Sequence, residues 1–127
     1  MHILVVAVLM IFFVLQARGD DADPWASTPP EIRAWYRGLM QPDNPNISCC
    51  GEADAYHADL FEIDGDQYVA IITDERELTG RPHIAPGTRV TVPNHKLKFD
   101  RGNPTGHGVI FMNTALTVYC YVVPAGI

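Results

Sequence analysis

The chain has 127 residues, which is enough for one domain with a modest hydrophobic core. Its 15 Asp and Glu residues outnumber its 9 Lys and Arg residues, and the formal charge is −6. Because recognition of a phosphate backbone needs a basic patch, this balance argues against a nucleic-acid-binding protein.

The first predicted element is an unbroken apolar run over residues 3–15. It is typical of the central region of a signal peptide and is shorter than the ~20 residues that a membrane span needs. Small residues at Ala17 and Gly19 predict cleavage after Gly19, which gives a signal peptide at 1–19 and a single domain at 20–127, periplasmic or secreted and without a stable membrane span. No Lys or Arg precedes the run, so an uncleaved anchor in the inner membrane is the alternative.

The second predicted element is a helix at about 28–41, in "STPPEIRAWYRGLMQP". Thr28 fits the N-cap, Pro29 the first helical position and Glu31 the third residue of a capping box. An apolar stripe with helical spacing follows, and we expect it to pack on the core. The stripe consists of Ile32, Trp35, Tyr36, Leu39 and Met40.

The stretch after the helix predicts a loop and then a series of short strands. "QPDNPNIS" has the composition of a loop, and Asp64-Gly65 predicts a hairpin turn. Gln67–Thr73 has two largely apolar faces, which predicts a central strand. "TRVTVP", "HKLKF", "VIFMN" and "TVYCYVV" follow, the last two as a closing strand pair. These elements predict a mainly β fold, a small antiparallel β-barrel or sandwich with one N-terminal amphipathic helix.

The three cysteines allow one disulfide bond, which an oxidising compartment favours. We expect Cys50–Cys120 or Cys49–Cys120, which ties the loop after the helix to the last strand. A bond between the vicinal Cys49 and Cys50 would strain the peptide that joins them. The remaining thiol is a buried free cysteine, a metal ligand, a redox-active group or a contact to another chain.

The segments "SCCGEADAY" and "VYCYVVP" resemble those of a group of short exported proteins from bacteria and phages with no established activity. The resemblance runs from about Trp35 to Pro124. Many of these proteins have a further cysteine where this chain has Ala55. The resemblance implies export and a small β-rich domain, and it implies no activity.

The first candidate site combines Cys49, Cys50, Asp54 and His57. On a short helix Asp54 and His57 would share a face, and a thiolate, a carboxylate and an imidazole are ligands for Zn²⁺ or Cu⁺. Alternatively, Asp54 caps a turn and His57 lies on the surface. We expect no cofactor other than such a metal ion.

The second candidate site is the loop "FDRGNPTGHGV". Its glycines let backbone N–H groups point at an anion beside His107, and Arg101 adds a positive charge. His95 would join His107 if the two flanking strands paired as a hairpin. The alternative is a β-turn whose glycines adopt positive φ and whose asparagine bonds its own backbone.

These features favour an exported accessory domain that acts in the cell envelope without catalysis. Its partner would be an envelope protein, a cell-wall component or a small ligand. One alternative is a small hydrolase or thiol redox enzyme that uses a free cysteine with a histidine, which needs an accessible thiol of low pKa. Another is a periplasmic metal-binding protein.

Overall fold

A computed structural model of the protein describes residues 28–124. The predicted signal peptide at 1–19 and its cleavage site lie outside the described residues. None of the helices within residues 28–124 has both the length and the apolar character that crossing a bilayer requires. This part of the chain is mainly β, with one α-helix and nine strands in three sheets.

Helix α1 spans Pro30–Gly38 and is shorter than the predicted 28–41. Its N-cap is Pro29 rather than the threonine before it, and no side chain of the described residues caps the first turn. A proline at the first helical position costs no hydrogen bond, because the N–H there has no partner within the helix. The helix ends at an extended Leu39, whose carbonyl accepts the backbone N–H of Cys49 at 3.0 Å. This strand-like pairing replaces the predicted last helical turn.

The predicted loop after the helix is a hairpin of two short antiparallel strands, β1 (Met40–Gln41) and β2 (Asn44–Ser48). Lys96 holds this hairpin to the rest of the domain. Its ammonium group donates hydrogen bonds to Gln41 Oε1 at 2.9 Å and to Asp43 Oδ1 at 3.0 Å. The proline-rich composition therefore gave no sign of the β1–β2 hairpin, which the side chain of Lys96 holds in place from a distant part of the chain.

A three-stranded antiparallel sheet has the order β4–β5–β6, with β4 at Leu60–Asp64, β5 at Gln67–Ile71 and β6 at Arg89–Val92. The hairpin between β4 and β5 turns at Gly65 and Asp66, and Gly65 has a φ of +64°. The predicted hairpin and the central position of β5 are both confirmed.

A four-stranded sheet has the order β3–β8–β9–β7. Its strands are β3 (Ala55–His57), β7 (Leu97–Lys98), β8 (Val109–Met112) and β9 (Val118–Val122). The predicted closing pair β8–β9 is antiparallel, whereas β7 runs parallel to β9. The predicted strand "HKLKF" is largely replaced by the 3-10 turn Asn94–Lys96, which leaves only two residues for β7.

Strand β8 lies between two hydrophobic clusters because its residues alternate between the two faces of the sheet. Val109 and Phe111 pack with the helix residue Tyr36, whereas Ile110 and Met112 pack with residues of the three-stranded sheet. All four β8 side chains are buried. The core thus has three layers, namely α1, the four-stranded sheet and the three-stranded sheet.

A disulfide bond between Cys49 and Cys120 joins the chain after β2 to the middle of β9. It is one of the two expected pairings, and it leaves Cys50 as an exposed free thiol. The described strands do not close into a barrel, because β4–β5–β6 and β3–β8–β9–β7 pair only within their own sheets. The barrel alternative is therefore wrong.

Candidate functional site

A cleft of about 290 Å³ opens between the start of α1, the end of β3 and the loop before β8. Its charged and imidazole side chains come from two histidines, one arginine and one glutamate. The lining residues are Thr28, Pro29, Ile32, Tyr36, Glu52, Ala55, His57, Arg76, Thr105 and His107.

The two histidines of the cleft are stacked on each other. His57 is the last residue of β3 and pairs with Val109 of β8, so the residues just before β8 lie beside those just after β3. The imidazole rings of His57 and His107 are nearly parallel, with an interplanar angle of 7° and 3.8 Å between their centroids. The register of β3 and β8 therefore builds the pair.

Asp59 fixes the orientation and the tautomer of His107. Each carboxylate oxygen of Asp59 lies 3.1 Å from His107 Nδ1, which must donate because an ionised carboxylate only accepts. The Thr73 hydroxyl and the Gly108 backbone N–H also donate to this carboxylate, at 3.0 and 2.9 Å. Burial raises the pKa of Asp59, but the hydrogen bonds from His107 and Thr73 outweigh it and hold the pKa below its usual value.

Arg76 holds His57 as a neutral imidazole. Arg76 Nη2 lies 3.1 Å from His57 Nε2, and since a guanidinium only donates, Nε2 must be the unprotonated nitrogen. Burial, the charge of Arg76 and the neighbouring His107 lower the pKa of His57 to about 4, against the opposing effects of Asp74 and Asp59. At neutral pH His57 is therefore an uncharged ring.

Asp74 supports this arrangement from inside the protein. It is buried and accepts hydrogen bonds from Arg76, from Arg81 and from the backbone N–H of His57. Burial raises its pKa, but the hydrogen bonds from the two arginines hold the pKa far below the usual range. Arg81 is also buried, donates to the carbonyl of Ala55 and lies over the ring of Tyr56.

The loop before β8 is ordered by its own side chains. Asn103 Oδ1 accepts the N–H and the hydroxyl of Thr105, and Asn103 Nδ2 donates to the His107 carbonyl. Gly106 has a φ of +74°, and a Cβ on Gly108 would collide with the Ala58 carbonyl. This geometry matches the β-turn alternative, in which the asparagine bonds its own loop.

The second candidate site is only partly assembled. His107 lines the cleft, but the cation beside it is Arg76, and the described lining residues do not include the exposed Arg101. His95 lies 3.9 Å from Asp43. The hairpin that would have brought it to His107 does not form, because β9 lies between β7 and β8.

The first candidate site is divided among three places. Cys49 forms the disulfide bond and has no thiolate for a metal ion, and Cys50 is exposed near Asp54. The 3-10 turn ends at Asp54 and His57 belongs to β3, so these two residues do not share a helical face. Within residues 28–124 no three His, Cys, Asp or Glu side chains are grouped to hold a metal ion.

Sequence reasoning missed Asp59, Asp74 and Arg76. Asp74 and Arg76 belong to "DERELTG", whose polar composition is typical of a surface loop. Asp59 follows His57 by two residues, a spacing that does not by itself indicate contact with His107. The strand register and the burial of Asp74 bring these groups together, and neither is visible in a local pattern.

No protein-family model matches the chain, and no curated protein or solved structure matches it either.

Proposed function

We propose that the protein is an exported accessory domain that binds a ligand in the cell envelope, and that the histidine cleft is its binding site. The observation that carries the proposal is the stacked pair of His57 and His107, oriented by Asp59 and Arg76 at the wall of an open cleft. Oriented polar groups in a concave site are typical of ligand recognition. The scaffold is a sandwich-like pair of sheets.

Two features support export. The apolar run at 3–15 has the length of a signal-peptide core, and the Cys49–Cys120 bond is of a kind that persists in oxidising compartments. Expression of the full chain in a bacterium, followed by mass measurement of the periplasmic product, tests this part. A mass that begins at Asp20 agrees with the proposal, and retention of the whole chain in the cytosol contradicts it.

The surroundings of the free thiol favour binding over catalysis. Burial and the neighbouring Asp54 raise the pKa of Cys50, which lowers its thiolate fraction at neutral pH. The Cys50 thiol points to the carbonyl of Ser48, at 3.7 Å. In the cleft, the hydroxyl of Thr105 is already committed to Asn103. Neither the Cys50 thiol nor the Thr105 hydroxyl is therefore an activated nucleophile.

Ring resonances of the histidines test the binding proposal directly. The folded domain is titrated with acetate, sulfate, N-acetylglucosamine and a soluble muramyl dipeptide, and the imidazole ¹H–¹³C signals are followed by NMR. We expect at least one compound to shift the signals of His57 and His107 in a saturable way. His95, which is exposed beside Asp43, serves as the internal control. Absence of any saturable shift at the pair would overturn the proposal.

A further inference from the structure

The hydrogen bonds of the histidine pair leave two ring nitrogens open. His57 uses Nε2 to accept from Arg76, and His107 uses Nδ1 to donate to Asp59. Within residues 28–124, His57 Nδ1 and His107 Nε2 make no hydrogen bond, and both side chains line the cleft. The pair therefore has one protonated nitrogen and one basic nitrogen available to a ligand.

Of the two rings in the pair, only His107 is placed so that it can accept a further proton. Protonation of His57 at Nε2 would place an N–H against the N–H of Arg76, so the two donors would repel each other. Protonation of His107 at Nε2 leaves its bond to Asp59 intact and adds a charge that this carboxylate compensates. Two charged rings 3.8 Å apart would also repel, which limits the pair to one proton.

The carboxylates around the cleft are already paired with donors or cations, although Glu52 Oε1 accepts no hydrogen bond from the described residues. Asp59 accepts from His107, Thr73 and Gly108, and Asp74 is buried between Arg76 and Arg81. Glu52 lies 3.6 Å from the Arg33 guanidinium and only a tenth of its side chain is exposed. The negative charges that face the pair are thus balanced within the protein.

The Arg76 guanidinium has a donor group that a ligand in the cleft could use. Its Nε and Nη2 atoms bind Asp74, and Nη2 also contacts His57. Nη1 makes no hydrogen bond to any described residue, and 44% of the Arg76 side chain is exposed. His107 has a similar exposure of 41%. A protonated His107 and the open edge of Arg76 therefore present two charged donors to the same cleft.

We propose that the cleft binds the oxyanion of a small ligand, a carboxylate, sulfate or phosphate group, through Arg76 Nη1 and a protonated His107 Nε2, and that binding takes up one proton. The inference rests on the proposed function, since it names the ligand chemistry of the same cleft. Charge-assisted hydrogen bonds of this kind are shorter and stronger than neutral ones.

The sign of the pH dependence follows from the proton balance. The anion needs His107 charged, so its affinity is greatest at low pH and falls as the pH rises and His107 loses its proton. One coupled proton limits the fall to about tenfold per pH unit, whereas two coupled protons would permit about a hundredfold. The bound anion in turn keeps the proton on His107 at a higher pH.

The test uses sodium sulfate, whose charge is constant over the range used, and sodium acetate, whose concentration is expressed as the ionised form at each pH, with sodium chloride at matched ionic strength as the control. Dissociation constants are measured from the His107 and His57 ring signals at about pH 5.5 and about pH 8, on either side of ordinary imidazole titration. We expect saturable binding at the lower pH and at least tenfold weaker binding at the higher pH. The two anions distinguish a carboxylate from a tetrahedral oxyanion.

Three variants assign the roles. His107→Asn is expected to abolish the pH dependence, Arg76→Lys to weaken binding while the charge is kept, and His95→Asn to change neither.

Wild-type binding that does not depend on pH would overturn the inference, as would a normal pH dependence in His107→Asn. A saturable shift with N-acetylglucosamine and none with either anion would overturn the oxyanion inference alone. No shift with any compound would overturn the proposed function as well.

Discussion

Asp74 shows how a single buried charge organises the candidate site. Its side chain is fully inaccessible, and two arginines and two backbone N–H groups donate to it. An unpaired carboxylate in such a place would be strongly destabilising, so the hydrogen bonds decide whether the charge is tolerated. Through Arg76 and the N–H of His57, the same carboxylate positions one ring of the histidine pair.

We predict that Asp74→Asn destabilises the protein by about 3–5 kcal/mol, because it leaves Arg81 buried without its counter-charge. Urea denaturation followed by fluorescence measures the free energy of unfolding. Glu75→Gln is the matched control, since it removes a carboxylate at the exposed neighbouring position. Equal midpoints for the two variants would show that Asp74 does not have this role.

The neutral His57 predicts a pH dependence of stability. Its pKa of about 4 lies below the ordinary value of 6.5, so the unfolded chain binds the proton first as the pH falls. The stabilisation is complete above about pH 6.5 and is lost as the pH falls towards 4. The low pKa of Asp74 acts only at still lower pH.

Urea midpoints measured between about pH 7 and about pH 4.5 test this prediction within the titration range of His57. We expect the wild-type protein to lose stability across the window and His57→Gln to show a flatter profile. His95→Gln is the control, because this exposed histidine should leave the wild-type profile unchanged. Parallel profiles for wild type and His57→Gln would contradict a neutral, half-buried His57.

At the level of the elements, the approach of β3 to β8 determines the site. Gly108 lies between His107 and the first residue of β8, and its carbonyl accepts the N–H of Ala58 at 2.8 Å. A side chain there would meet the Ala58 carbonyl and the ring of Pro124. Gly108 is therefore required by close contact between backbones, and the histidine pair depends on this contact.

Gly108→Ala is expected to lower the free energy of unfolding by about 1–3 kcal/mol, as overpacking does in a close-packed interior. Gly38→Ala is the matched control, since no heavy atom of residues 28–124 lies within 4 Å of a Cβ at that position, which ends helix α1. Because alanine favours a helix over glycine, this control should be neutral or slightly stabilising. A stable Gly108→Ala variant with unchanged histidine resonances would refute the close approach.

Local patterns predicted the elements whose pairing is local. The β4–β5 hairpin and the β8–β9 pair follow from alternation and turn residues, and both are observed. The parallel contact of β7 with β9 depends on long-range pairing, which no local pattern encodes. The helix was predicted too long because Leu39 pairs with Cys49 instead of continuing the helix. The spacing of apolar residues along a helix does not indicate such a contact.

The candidate site was predictable to a smaller extent. Glycines on both sides of His107 indicated an anion-binding loop or a β-turn, and His95 was the predicted partner only if the flanking strands paired as a hairpin. The actual partner, His57, depends on the register of β3 with β8, which is set when the sheet forms. Arg76 takes the place that was predicted for Arg101. Its ion pair with the buried Asp74 determines where its side chain lies.

At the scale of the whole molecule, the disulfide bond joins the segment that follows β2 to the last strand, β9. Cys49 and Cys120 are fully buried among the residues that α1 shares with the four-stranded sheet. The bond links positions separated by 71 residues, so it removes much of the freedom of the unfolded chain. The histidine cleft lies at the start of α1, which packs over this bond.

We predict that the double variant Cys49→Ala and Cys120→Ala loses about 4 kcal/mol of stability, as chain entropy gives for a loop of this length. Urea denaturation without reductant measures the loss. Cys50→Ser is the control, because the exposed Cys50 thiol takes no part in the bond. Reductant should lower the midpoint of wild type and Cys50→Ser equally and leave the double variant unchanged. A Cys50→Ser variant that no longer responds to reductant would mean that Cys50 carries the bond, and the pairing of Cys49 with Cys120 would be wrong.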